Sequence, residues 1–122
     1  SLAKMYAPLS CGGSWDGVSL VDKTSLLLMS SVSSAAERDA VLGIPTRFSL
    51  GYQKASPGIV LSEDAFGHTG SGGSIGFASP ANRLSFGYTM NRMGDAERRQ
   101  ALIDAVYLSL GYTTSASGCW IK

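Results

Sequence analysis

The alternation of large apolar with small or polar residues is sharpest between Phe66 and Asn91. Ser74 to Ala78 places Ile75 and Phe77 on one face and small residues on the other. Leu84 to Met90 sets Leu84, Phe86, Tyr88 and Met90 against Ser85, Gly87 and Thr89. That period of two predicts a pair of half-buried strands. Ser79-Pro80-Ala81-Asn82 between them predicts a tight turn, with Pro80 pre-setting one φ and Asn82 tolerating a left-handed one. Gly67, Gly70, Gly72, Gly73 and Gly76 crowd one edge of this hairpin, which predicts a bulge or close approach by another backbone or a ligand.

Helical spacing governs the two ends of the chain. Leu2, Met5, Tyr6 and Leu9 predict a first helix, which Pro8 limits to a short or frayed end before Cys11-Gly12-Gly13. A turn and a short extended piece follow from Trp15 to Val21. Asp22 or Thr24 is expected to cap a second helix through Met29 that carries Leu26, Leu27 and Met29 into a core. Residues 30 to 40 read as a surface loop. Phe48, Leu50 and Tyr52 alternate as in a strand, and Lys54 to Asp64 reads as a connecting loop in which Glu63 and Asp64 are solvated. Asp95 is expected to cap a last helix from Ala96 to Leu110 with Ile103, Val106, Tyr107 and Leu110 on one apolar face, stopped by Gly111. Thr113 to Lys122 has little pattern, and its Trp120 and Ile121 need a surface to cover them.

A length of 122 residues is one domain, or part of one, since the chain begins with Ser1 rather than Met. With 44% hydrophobic and 16% charged residues the composition is globular, and a net charge of +1 without basic runs argues against nucleic acid as a partner. No apolar run approaches the roughly 20 residues that span a bilayer, so no membrane partner is expected. The first residues lack the segments of a signal peptide, and the cytoplasm is the expected compartment. Cys11 and Cys119 lie near opposite ends and do not imply a bridge. One histidine and no Cys-x-x-Cys pair leave too few ligands for a transition metal, and no cofactor is expected.

The candidate chemistry centres on that histidine. His68-Thr69-Gly70, set in Phe-Gly-His-Thr-Gly-Ser-Gly-Gly-Ser and followed by a Pro turn, a strand ending in Met90-Asn91-Arg92 and an amphipathic helix, resembles the C-terminal part of the serine β-lactamase-related family. That family includes class C β-lactamases, penicillin-binding proteins and carboxylesterases of the same fold. The triplet is the His-Thr-Gly form of its Lys-Thr-Gly motif. The passages Leu2-Ala3-Lys4 to Cys11-Gly12-Gly13, Asp16-Gly17 and Phe48 to Tyr52 are similar to the family as well. The resemblance implies a mixed α/β (α+β) fold: an antiparallel sheet of at least three strands with the C-terminal helix packed on it. It also implies that His68, Thr69 and Gly70 bind substrate and that the Ser71 backbone N–H is an oxyanion donor. An imidazole is largely neutral near pH 7 where a lysine amine is not, so an ester or amide substrate is expected rather than one held by its carboxylate.

A nucleophile is harder to find. Ser1-Leu2-Ala3-Lys4 fits the family's Ser-x-x-Lys pattern in letters, but it lies in the stretch that resembles a later helix. No Tyr-x-Asn or Ser-x-Asn triplet is present. Gly72-Gly73-Ser74-Ile75-Gly76 fits Gly-x-Ser-x-Gly, a nucleophile elbow that requires a helix after the serine, whereas Phe77-Ala78-Ser79-Pro80 reads as strand and turn. The only histidine also precedes Ser74, so the Ser, Asp, His order of an elbow triad cannot be completed. Three readings follow: a C-terminal segment of a β-lactamase-like hydrolase without its own nucleophile, a non-catalytic interaction module of the same architecture, and an esterase using Ser74. On the first, the chain is expected to need the N-terminal portion of the fold or to self-associate, leaving the faces of Ile75/Phe77, Leu84/Phe86/Tyr88 and Ile103/Val106/Tyr107 uncovered.

Overall fold

A computed structural model of the chain describes residues 1–94 and 96–122. The elements in chain order are α1 (Leu2–Ser10), β1 (Ser14–Trp15), β2 (Val18–Ser19), α2 (Lys23–Ser30), β3 (Ser34–Ala36), β4 (Thr46–Phe48), β5 (Gln53–Lys54), β6 (Phe66–Thr69) and β7 (Ile75–Ser79). A 3₁₀ turn (Pro80–Asn82), β8 (Leu84–Tyr88), α3 (Glu97–Ser109), β9 (Thr113–Thr114) and β10 (Trp120–Ile121) complete it. Strands β3 to β8 form one antiparallel six-stranded sheet in sequence order, so every connection in it is a hairpin or a simple return.

Alternation along β7 sorts the two faces of this sheet. Ile75 and Phe77 point to one side, where they join Leu61, Ala65, Ile103, Tyr107, Tyr112 and Trp120 in the larger core beneath α3. Ala78 points to the other side and packs with Phe66, Leu9 and Leu26 beneath α1 and α2. Helix α1 approaches the sheet over two glycines that face each other across the β7–β8 pair, Gly76 and Gly87. A Cβ on Gly76 would lie 2.9 Å from Leu2 Cγ and 3.0 Å from Tyr6 Cδ2, and one on Gly87 would lie 2.6 Å from the Ala3 backbone nitrogen. The close approach expected at Gly76 is thus made by a helix of the same chain, which also crosses Gly87.

Helix α3 ends in a Schellman motif. Tyr112 N–H donates to the Tyr107 carbonyl and Gly111 N–H to that of Leu108, both at 3.0 Å, with Gly111 at φ +80°. The Tyr112 ring meets Tyr107 edge-on at 5.2 Å between centroids, and Trp120 stacks on Tyr107 at 5.5 Å. The unpatterned tail therefore folds into the β9–β10 hairpin and puts Trp120 in the core, with the Trp120 backbone N–H bonded to the Leu61 carbonyl. Tyr107 is wholly buried, and its hydroxyl accepts from Ser62 N–H at 3.1 Å and contacts Ser62 Oγ at 3.0 Å.

Several local expectations are corrected. Residues 34–36 are not loop but the edge strand β3, because Ser34, Ala35 and Ala36 find partners in Phe48, Arg47 and Thr46. The alternation over Phe48, Leu50 and Tyr52 is not one strand: the chain turns at Leu50-Gly51, where Gly51 takes φ +84°, and Phe48 pairs with Gln53. The left-handed residue after the Pro turn is Arg83, at φ +49°, not Asn82. Asp22 caps α2 by accepting from Ser25 N–H at 2.9 Å, but Leu27 is exposed (67%), and only Leu26 of that helix is buried. Pro8 sits within α1, which continues to Ser10 before Gly12 and Gly13 turn the chain. Asp95, the expected cap of α3, lies outside the described residues, and the helix runs from Glu97 to Ser109 rather than from Ala96 to Leu110.

Of the acidic pair, Glu63 is exposed as expected, whereas Asp64 is half-buried and engaged. Asp64 accepts from Ser62 Oγ at 2.7 Å, Ser79 Oγ at 3.0 Å and Ala81 N–H at 2.9 Å, which locks the 3₁₀ turn onto the sheet. Glu63 makes a two-point pair with the Arg47 guanidinium, one bond of it at 2.9 Å. That pairing holds the Glu63 carboxyl below the usual carboxylate range. Ile75, Phe77, Ile103 and Tyr107, expected to lie uncovered in a fragment, cover one another instead. The exposed apolar side chains include Met5, Trp15, Val18 and Leu20 around the β1–β2 hairpin, Leu27 and Leu28 on α2, and Val41, Leu42 and Ile44 in the loop before β4.

Candidate functional site

The end of β6 is where the sheet leaves hydrogen-bonding groups without a strand partner. Strand β7 pairs with the whole of β6, from Phe66↔Ala78 to Thr69↔Ile75. Strand β5 pairs only Gln53 with Gly67 and Lys54 with Phe66, because the chain must turn at Gly51. The Gln53 side chain takes over where that ladder stops. Its Oε1 accepts from Thr69 N–H and from Thr69 Oγ1, each at 2.9 Å. An amide N–H only donates, so the Gln53 oxygen must face it, and the Thr69 hydroxyl hydrogen must point at that same oxygen.

His68 secures the third polar group of Thr69. Its Nδ1 lies 2.8 Å from the Thr69 carbonyl oxygen. A carbonyl only accepts, so Nδ1 carries the hydrogen, and in the neutral ring Nε2 presents a lone pair. His68 is exposed on the sheet face that holds Phe66, whereas Thr69, one residue on, leaves from the opposite face. Their side chains therefore diverge, and the histidine acts on its neighbour through the main chain.

Residues 70–73 form the turn into β7. Gly70 N–H donates to the Ser74 carbonyl at 2.9 Å and Gly73 N–H to the Gly70 carbonyl at 3.0 Å, with Gly73 at φ +102°. Ser74 Oγ fills the space a Cβ on Gly70 would need, so a side chain there would have to turn that hydroxyl aside. Gly94 N–H reaches the Gly72 carbonyl at 3.1 Å, and Met93 Cγ lies 3.1 Å from where a Gly72 Cβ would be, so residues 93–94 wall the far side of the turn. Ser71 is exposed at the corner, and among the described residues its backbone N–H has no acceptor.

Thr69 and Gln53 border a cleft of about 280 Å³ whose other walls include Ile44, Phe48, Ile59 and Arg99. Arg99 is only 5% exposed; its Nη2 donates to the Gly58 carbonyl at 3.0 Å, while Nε has no partner among the described residues. Burial lowers the pKa of its guanidinium. Ser74 precedes a strand rather than a helix, so the elbow geometry is not formed. Ser1 stands exposed before α1 without a side-chain capping bond, and Lys4 is exposed one turn on. Among the described residues no group of three His, Cys, Asp or Glu side chains could hold a metal ion.

The sequence therefore located His68, Thr69, Gly70 and Ser71 in one short segment, but not Gln53, Arg99 or Met93, which reach it from distant elements. Gln53 carried no signal because a two-residue strand is too short to show a period.

The sequence model of the family described as Beta-lactamase matches residues 1–110. The chain belongs to the beta-lactamase family. Over 93 residues it is 32% identical to Esterase/beta-lactamase LipL of Mycobacterium tuberculosis (strain ATCC 25618 / H37Rv), a match that takes in 76% of this chain and 21% of LipL. Among solved structures it superimposes on a family VIII carboxylesterase with a TM-score of 0.80 at 34% identity. On a penicillin-binding protein homolog from Caulobacter crescentus the TM-score is 0.79 at 32% identity. Each of those superpositions covers 88% of this chain and 30% of the other. The chain thus spans less than a third of the length of each of these proteins.

Proposed function

We propose that this chain is the substrate-binding and oxyanion side of a beta-lactamase-family serine hydrolase that cleaves esters or amides through an acyl-enzyme, and that it contributes no nucleophile of its own. The observation that carries this reading is the 70–73 turn, a glycine-shaped corner that holds the Ser71 N–H outward with no acceptor among the described residues. A serine supplied from outside the chain attacks the substrate carbonyl carbon, and the oxygen that gains charge sits at the Ser71 N–H. A fixed donor aimed there stabilises the transition state more than the ground state. Gly70 lets the scissile group approach the backbone, Thr69 borders the substrate, and His68 holds the Thr69 carbonyl from the opposite face of the strand.

In this reading the exposed apolar residues Met5, Trp15, Val18, Leu20, Leu27 and Leu28 meet the rest of the hydrolase. The chain by itself then self-associates, and sedimentation at micromolar concentration checks this; a compact monomer that binds no apolar dye contradicts it.

A fluorophosphonate that labels activated serines tests the catalytic part. The isolated chain remains unlabelled; labelling lost in Ser74→Ala or in Ser1→Ala would overturn the reading. Expressed with the reading frame that precedes Ser1, the polypeptide is labelled, and Ser71→Pro removes the donor at a turn position that Pro favours. A fall of roughly 10² to 10³ in kcat is expected for loss of one oxyanion donor.

A further inference from the structure

We infer that Gln53 is a specificity-determining residue of this site: by taking the Thr69 hydroxyl hydrogen it makes Thr69 an acceptor toward substrate and turns the site toward uncharged esters and amides over carboxylate-bearing ones. The inference rests on the proposal that Thr69 borders the substrate.

The argument is one of hydrogen-bond direction. A threonine hydroxyl has one hydrogen and two lone pairs, and it binds a carboxylate only by donating. Here that hydrogen is directed at Gln53 Oε1, 2.9 Å away, and the same oxygen accepts the Thr69 N–H at 2.9 Å. Turning the hydroxyl toward a ligand would break the first bond in a half-buried place. The two bonds hold each other in register, because the N–H fixes the orientation of the Gln53 amide. The Thr69 carbonyl is meanwhile engaged by His68 Nδ1–H at 2.8 Å, so all three polar groups of Thr69 are held within the chain. Thr69 Oγ1 thus presents only lone pairs to the cleft, while His68 leaves the strand on the opposite face. An N–H or O–H donor beside the scissile bond, or an apolar group, is matched to that oxygen; a carboxylate meets lone pairs. The Gln53 side chain is in position because the chain turns at Gly51 and β5 stops short, so that an amide stands where a further strand residue would otherwise pair with β6.

Arg99 borders the same cleft and offers its donors equally before and after a change at Gln53. The quantity to follow is therefore the ratio of kcat/KM for an ester bearing a carboxylate to kcat/KM for its methylated, neutral counterpart. It is measured on the polypeptide expressed with the reading frame preceding Ser1. Gln53→Met keeps the length of the side chain and removes the acceptor, freeing the Thr69 hydroxyl to donate. The ratio is expected to rise at least about tenfold, as befits a hydrogen bond gained to a charged group. The rise should fall in KM for the carboxylate ester, and the neutral ester should change only a few-fold.

Gln53→Glu keeps an acceptor for both Thr69 groups and adds a negative charge, so its ratio stays level or falls; it decides the matter if Gln53→Met does not fold. Amide hydrogen exchange at Thr69 gives a readout free of activity: protection is lost in Gln53→Met and kept in Gln53→Glu. An unchanged ratio in Gln53→Met, with the neutral ester still turned over, overturns the inference and leaves the proposed function standing. A rise in Gln53→Glu overturns it too. Absence of any serine labelling or turnover in the wild-type polypeptide overturns the proposed function itself, and the inference with it.

Discussion

Gly67 is the position at which one added methyl group acts on both the sheet and the site. It lies in β6 between Phe66 and His68 and pairs with Phe77 on β7. A Cβ there would stand 2.5 Å from the Phe77 Cα and closer still to the Gly76 carbonyl oxygen. Carbon atoms pack at about 3.5 to 4.0 Å, so the strands would have to part by about 1 Å or more. Both obstructing atoms are backbone, and neither can rotate away. Overpacking of this kind costs about 1 to 3 kcal/mol. Weakening one or two ladder hydrogen bonds adds about 0.5 to 1.5 kcal/mol each. Against this, replacing a strand glycine by alanine regains about 0.5 to 1 kcal/mol of backbone entropy.

The expected net destabilisation by Gly67→Ala is thus about 2 to 4 kcal/mol. With a urea dependence of about 2 kcal/mol per molar, the unfolding midpoint falls by roughly 1 to 2 M. Intrinsic fluorescence of Trp120, buried against Tyr107, follows the transition at fixed protein concentration. Gly94→Ala is the control, since a Cβ there meets nothing within 4 Å and the residue needs no left-handed φ. A Gly67→Ala midpoint equal to that of the control would refute the reasoning, for it would mean that the β6–β7 pair yields without penalty.

Two further outcomes are expected. Tyr107→Phe removes the hydroxyl that accepts from Ser62 N–H and contacts Ser62 Oγ, stranding a buried donor at a cost of about 1 to 3 kcal/mol; a denaturation midpoint like that of wild type would contradict it. The Arg47–Glu63 pair gives a pH-dependent contribution whose sign is fixed. The Arg47 hydrogen bonds depress the folded-state pKa of Glu63, so its contribution is fully present above the unfolded carboxyl range and is lost as pH falls through the lower folded value. Because Glu63 is well exposed and Arg47 about a third exposed, the difference between wild type and Glu63→Gln should be no more than about 1 kcal/mol at neutral pH, shrinking in acid and in high salt.

The sequence by itself determined whatever depends on neighbours along the chain. The β7–β8 hairpin, the capped helix after Asp22 and the apolar stripe of α3 were legible because a period of two or of 3.6 repeats within a few residues. The His-Thr-Gly segment was legible because its groups are consecutive. Only the tertiary structure decided what depends on residues brought from afar. Strand β3 has no pattern of its own and exists because Arg47 and its neighbours offer a ladder. Trp120 is buried because the Schellman turn at Gly111 returns the chain over Tyr107. Asp64 is a clamp because Ser79 and Ala81 arrive beside it. The same holds at the site. The direction of the Thr69 hydroxyl is set by Gln53, 16 residues earlier, and hydrogen-bond direction is a property of the pair that no single stretch of sequence encodes.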